Sequence, residues 1–126
     1  MKITCRFMDM SKPNRNGRFY ANPKELEKDG LYVISNTDAI NPLLGEIDLG
    51  GVIGIASSKM DGDDLVVDAD IADSWGEILQ NGKAEMCICS TGTCDETGKM
   101  EDVKINAISL CEKSYRNPEV TINSEV

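Results

Sequence analysis

Lys83-Ala84-Glu85-Met86-Cys87-Ile88-Cys89, the polar stretch Ser90 to Lys99, and Val103-Lys104-Ile105-Asn106-Ala107-Ile108-Ser109-Leu110-Cys111 decide the reading of the fold. The first run alternates with a period of two, which puts Cys87 and Cys89 on one face of a strand and Met86 and Ile88 on the other. Ser90 to Lys99 carries turn formers at nearly every position and reads as a loop. The returning strand begins with Val103, Ile105 and Ala107 on one face and Lys104 and Asn106 on the other. Beyond Ala107 the apolar face moves to Ile108 and Leu110, which predicts a bulge or bend between two packed surfaces. All the cysteines but Cys5 lie in this stretch. Chemistry here would use Cys87 or Cys89 as nucleophile, with a base to activate it.

Outward from this hairpin, 126 residues suit one domain, 1–126, with a basic loop at 9–18 and an extended C-terminal segment at 112–126. An apolar fraction of 40% with β-branched residues through the middle argues for a folded body. The net charge of -9 repels nucleic-acid phosphate, so no direct nucleic-acid partner is expected. No apolar run approaches the ~20 residues that a membrane span needs. Met1 to Phe7 turns polar too quickly for a signal peptide, so synthesis in a reducing cytosol is the expectation. Five cysteines cannot all pair within one chain. Histidine is absent, which removes the commonest neutral-pH base and metal ligand.

In chain order, residues 2 to 8 read as a strand with Ile3, Cys5 and Phe7 on one face. Arg6, Lys12, Arg15 and Arg18 form the one basic cluster, suited either to solvent or to a partner's carboxylates. Pro23 to Gly30 reads as a short surface helix, with Asn22 as N-cap, Pro23 at N1 and Leu26 as its lone large apolar residue. Leu31 to Ile34 is a strand and Ser35 to Pro42 a loop. Gly51 to Ala56 and Leu65 to Ile71 form a hairpin through Asp61-Gly62, with Ser57 and Ser58 as ordinary strand-end hydroxyls. Asp68 and Asp70 then face outward and require solvent or a partner. Asp61-Gly62-Asp63-Asp64 lacks the spacing and distal glutamate of a calcium loop. A second helix spans Ser74 to Asn81, capped by Asp73 or Ser74, with Trp75, Ile78 and Leu79 plugging one end of a sheet or barrel. Val120-Thr121-Ile122 adds an edge strand or reaches a neighbouring molecule. The fold class expected is mainly β with two short helices, a small closed or partly open β barrel; a ferredoxin-like sandwich would need longer helices.

The order of these segments resembles that of the tailed-phage prohead (capsid maturation) proteases, a family related to herpesvirus assemblin. The residues that carry the resemblance are Asn14-Arg15-Asn16-Gly17-Arg18-Phe19-Tyr20, Leu44-Gly45-Glu46, Gly50-Gly51-Val52-Ile53-Gly54, Asp63 to Asp70, Leu79-Gln80-Asn81-Gly82, Ile105 to Leu110, and Asn117-Pro118-Glu119. It implies the prohead protease fold over most of residues 14–120. The family's nucleophilic serine falls on or beside Cys87, with Cys89 after it. Its catalytic histidine falls where this chain has Asp48 or Asn41. A carboxylate with a pKa near ~4 is a poor acceptor for a thiol proton near ~8.5, and its charge disfavours a neighbouring thiolate. The resemblance therefore implies a noncatalytic phage structural protein that binds the capsid shell as an auxiliary or decoration protein. It would be made in the host cytoplasm and located in the virion capsid.

Its partner would be the major capsid protein, with self-association on the capsid lattice, through Arg15, Arg18 and Tyr20; no cofactor, metal or membrane is expected. The alternatives are a maturation protease with Cys87 as nucleophile and a nonenzymatic assembly factor. Cys87, Cys89, Cys94 and Cys111 lack paired CxxC knuckles, and Cys87–Cys111 and Cys89–Cys94 stand as two conceivable disulfides.

Overall fold

A computed structural model describes residues 1–13, 17–36, 47–82, 84–112 and 120–125, the last from 111 onward as backbone alone. The described residues are mainly strand, curled into a half-barrel with one α-helix. The strands are β1 (Lys2–Phe7), β2 (Phe19–Tyr20), β3 (Lys28–Ile34), β4 (Val52–Asp61), β5 (Asp64–Ile71), β6 (Ala84–Cys94), β7 (Lys99–Glu112) and β8 (Val120–Glu125). They lie in the order β2-β7-β3-β4-β5-β1-β8, with β6 paired to β7. The helix α1 (Asp73–Gln80) packs against both β6 and β8, closing the curl where the sheet does not.

The core follows from period-two alternation. Ile3, Cys5 and Phe7 of β1 meet Leu65, Val67, Ala69 and Ile71 of β5, and Ile105, Ile108 and Leu110 of β7 complete the inner layer. A second, smaller cluster of Ile34 and Ala107, with Ile47, Val52 and Cys89 against it, lies on the other side of the sheet. The expected bulge is present, but it falls before Ala107 rather than beyond it, so Ala107 does not share the face of Val103 and Ile105. Cys89 pairs with Ala107 and Ser90 with Ile105, so Asn106 is the extra residue of a bulge. That residue turns Ile105 and Ile108 to the main core and Ala107 to the second cluster.

The fold differs from the sequence reading in several places. There is one α-helix among the described residues, not two; Pro23–Leu26 is a single 3-10 turn, and β3 already begins at Lys28. Leu26 is fully buried rather than on the surface. Its turn is held down by Ser58, whose Oγ donates to the Leu26 carbonyl and accepts from Lys28 N–H at 3.0 Å. Ser58 is therefore a buried mid-strand residue, since β4 and β5 pair without a break up to Asp61 and Asp64. Neither Asn22 nor any residue before α1 makes a side-chain cap, and Ala72 holds the N-cap position of the helix. Leu79 is the buried apolar anchor of α1. Trp75 is half-buried, so the ~3–5 kcal/mol cost of truncating a buried tryptophan does not apply to it. The expected loop at 90–99 shrinks to a turn at 95–98, because β6 and β7 stay paired as far as Cys94 and Met100. The expected edge strand is present as β8, antiparallel to β1.

A second bulge falls opposite Gly92, where Asp102 takes a left-handed conformation (φ 52). Here the ladder is interrupted, and Glu25 Oε2 accepts the Val103 N–H at 3.1 Å. Glu25→Ala would leave that donor part-buried without its charged acceptor. The expected loss is about 1–2 kcal/mol, with partial recovery in Glu25→Gln, read as the shift in urea midpoint at constant slope.

Candidate functional site

On the outer side of the sheet, adjacent strands bring Val52, Ile34, Ser109 and Cys87 into one row: Val52 pairs with Ile34, Ile34 with Ser109, and Ser109 with Cys87. Glu85 and Cys89 flank Cys87 on the same face of β6. Ser109 is fully buried and Glu85 is 2% exposed. This is where the resemblance puts a nucleophile, so the state of each group there decides what it can do.

Cys87 is disulfide-bonded, while Cys89 and Cys94 are free thiols. The Cys89–Cys94 pairing is thus overturned: Cys89 is held in the second cluster while Cys94 is exposed at the mouth of the β6–β7 turn. The Cys87–Cys111 pairing lies outside the described side chains. Burial pushes the Cys89 thiol from its ordinary value of about 9 up to about 11, and a hydrogen bond with Ser109 opposes this only in part. At neutral pH its thiolate fraction is on the order of one in ten thousand. Ser109 Oγ donates to the Leu110 carbonyl at 3.0 Å.

Of the two residues that the resemblance puts in place of a histidine base, Asp48 caps the 3-10 turn Leu49–Gly51 and accepts Gly50 N–H at 3.0 Å. Asn41 lies outside the described residues, as do Leu44-Gly45-Glu46. No family model, curated protein or solved structure matches this chain. Among the described residues no three His, Cys, Asp or Glu side chains come together as a metal site.

The basic loop is anchored at both ends. Asp9 N–H donates to Asp64 Oδ1 at 2.8 Å and Met10 N–H to the Asp63 carbonyl at 2.7 Å, tying its start to the β4–β5 turn. Phe19 N–H donates to the Gly98 carbonyl at 2.9 Å, tying its end to the β6–β7 turn. Asp64 sits below the usual carboxylate range because Asp9 N–H and the Arg6 guanidinium both bond to it. Arg18 is exposed on this loop. Tyr20 is half-buried, and burial raises its pKa against the pull of a Ser90 hydrogen bond and the nearby Arg18 charge. Its hydroxyl is therefore engaged within the chain. Arg15 lies outside the described residues.

Sequence reasoning passed over Glu85 and Ser109 as site residues. The signal was present, since Glu85 precedes Cys87 by the same two-residue step that separates Cys87 from Cys89.

The raised pKa of Cys89 has a consequence for alkaline stability. The folded state holds its proton more tightly than the unfolded chain, so its contribution is complete below pH ~9 and is lost as pH rises to about 11. The loss is at most about 2–3 kcal/mol. Chemical denaturation between these pH values should show this decline in the parent and a flatter profile in Cys89→Ala.

Proposed function

We propose that the chain is a noncatalytic structural protein of a tailed-phage virion, a prohead protease-like barrel that binds the major capsid protein as an auxiliary or decoration protein. The observation that carries this reading is the state of the nucleophile position. Cys87 has its sulfur in a disulfide, and the neighbouring free thiol, Cys89, is held protonated by burial. A thiol protease needs the opposite arrangement, a thiolate stabilised by a nearby cation or imidazole.

In this reading the sheet is a rigid support and binding works through surface complementarity. The loop carrying Arg15, Arg18 and Tyr20, tethered between two hairpin turns, presents cations to carboxylates on the shell. Many weak copies on a repeating lattice would hold together through avidity, aided by contacts between neighbouring copies. The protein would be made in the host cytoplasm and end in the capsid.

Quantitative mass spectrometry of purified particles tests this. Copy numbers on the scale of the capsid lattice, falling in an Arg15→Glu, Arg18→Glu double variant, are the expected result. A chain abundant in assembling shells and missing from finished particles would replace this reading with a transient assembly factor.

A further inference from the structure

Away from that loop, the outward face of β4, β5 and β1 carries two neighbouring rows of side chains. Ile55, Asp70 and Lys2 form one row, which Tyr32 of β3 extends through its pairing with Ile55. Ser57, Asp68 and Thr4 form the next. Between them runs an open groove of about 640 Å³, floored by the intervening backbone. Ile55 is 53% exposed and Tyr32 is 43% exposed, although the two are paired across adjacent strands. Scattered exposed apolar residues need no explanation, but two paired in register beside a groove form a patch.

The polar side of the groove is acidic on balance. Thr4 Oγ1 donates to Asp68 Oδ1 at 2.8 Å, which fixes that carboxylate without neutralising it. The Asp70 side chain is 62% exposed, with the terminal ammonium 3.4 Å away at the groove's edge. Lys2 is the lysine in the lining, set against both carboxylates. Arg6, one row further along β1, is taken up by Asp61 at 2.7 Å and Asp64 at 2.9 Å. Lys59 lies on that further row, opposite Val66.

We infer that this face docks an extended segment of a partner protein that carries an apolar side chain next to a lysine or arginine. The apolar residue seats on Ile55 against the Tyr32 ring, and the cation reaches Asp68 and Asp70 one strand away. Neighbouring strands lie ~4.8 Å apart and alternate residues of an extended segment ~6.6 Å apart, so both contacts fall within reach of one short stretch. A free small cation would leave Ile55 and Tyr32 unused, and an anionic segment would meet two carboxylates. The charge of -9 on the whole chain favours the same class of partner at long range. This surface does not depend on the capsid reading, since neither Asp68, Asp70 nor Ile55 enters it.

The test uses the isotope-labelled full chain and two short synthetic peptides, one alternating valine with lysine and one alternating valine with glutamate. The lysine peptide should shift amide resonances at Ile55, Ser57, Asp68 and Asp70, and the glutamate peptide should not. Asp68→Asn with Asp70→Asn should weaken the lysine peptide about tenfold, and Ile55→Ser by a similar factor. These positions are exposed, so an unchanged melting temperature will show that the variants fold; Asp70→Asn alone keeps the Thr4–Asp68 bond as a second check. Equal response to both peptides, shifts confined to other surfaces, no shifts, or self-association through this face in sedimentation would each overturn the inference.

Discussion

Gly54→Ala should lower stability by about 3 kcal/mol or more. Gly54 lies between Val33 of β3 and Ile71 of β5, where two antiparallel pairings meet. A Cβ built there would stand 2.6 Å from Ile71 Cγ2 and 2.8 Å from Ile71 Cα, and would run into the Asp70 carbonyl oxygen. Backbone atoms cannot rotate aside as a side chain can, so the strands must separate and the ladder on both sides loses its geometry. Gly50→Ala is the control. Its Cβ would meet the Asp48 carboxylate at 3.3 Å, a flexible group that can yield. Urea unfolding should show a large drop in midpoint for the first and a drop of under ~1 kcal/mol for the second. Similar stabilities for the two would mean that β4 does not pass as closely to β5 as described.

Ile108→Ala should cost about 3–5 kcal/mol. Ile108 is fully buried and pairs with Val33 on one side and Ile88 on the other, at the place where β7 joins β3 in parallel and β6 antiparallel. Truncation leaves a cavity that cannot collapse, because three strands hold its walls. Exposed Ile55→Ala should stay within ~0.5 kcal/mol, which separates burial from residue type. A loss at Ile108 of the size expected for Ile55 would place it outside the core.

The strands were legible because they alternate cleanly. Ile3, Cys5 and Phe7, and Leu65, Val67, Ala69 and Ile71, took the positions that a period of two assigns them. A bulge near Ala107 was visible for the same reason, since a single extra residue inverts the alternation beyond it, although the pattern put it one residue too late and Ala107 on the wrong side. The short elements were less legible. Pro23 to Gly30 has helix-start and helix-stop residues, yet Ser58, more than thirty positions away, pulls Leu26 inward and β3 takes Lys28. Local propensity has no access to such a contact. The outward rows had half a signal: Asp68 and Asp70 demanded solvent or a partner, while exposed Ile55 and Tyr32 look like core residues in the sequence. Where the resemblance puts the nucleophile, sequence showed the missing imidazole and offered a disulfide at Cys87 as one of two pairings, but not the burial of Cys89, which depends on what packs over the strand.

The proposed function depends on Cys87, at the place where the resemblance puts a nucleophile, not acting as one. The direct measurement is incubation of the purified chain, with and without reductant, with the scaffold and major capsid proteins that the proposed function calls for, followed by mass analysis of the products. Intact partners in every condition, with the same result for Cys87→Ala, are the outcome this account predicts. Cleavage at defined peptide bonds that reductant permits and Cys87→Ala abolishes would contradict it.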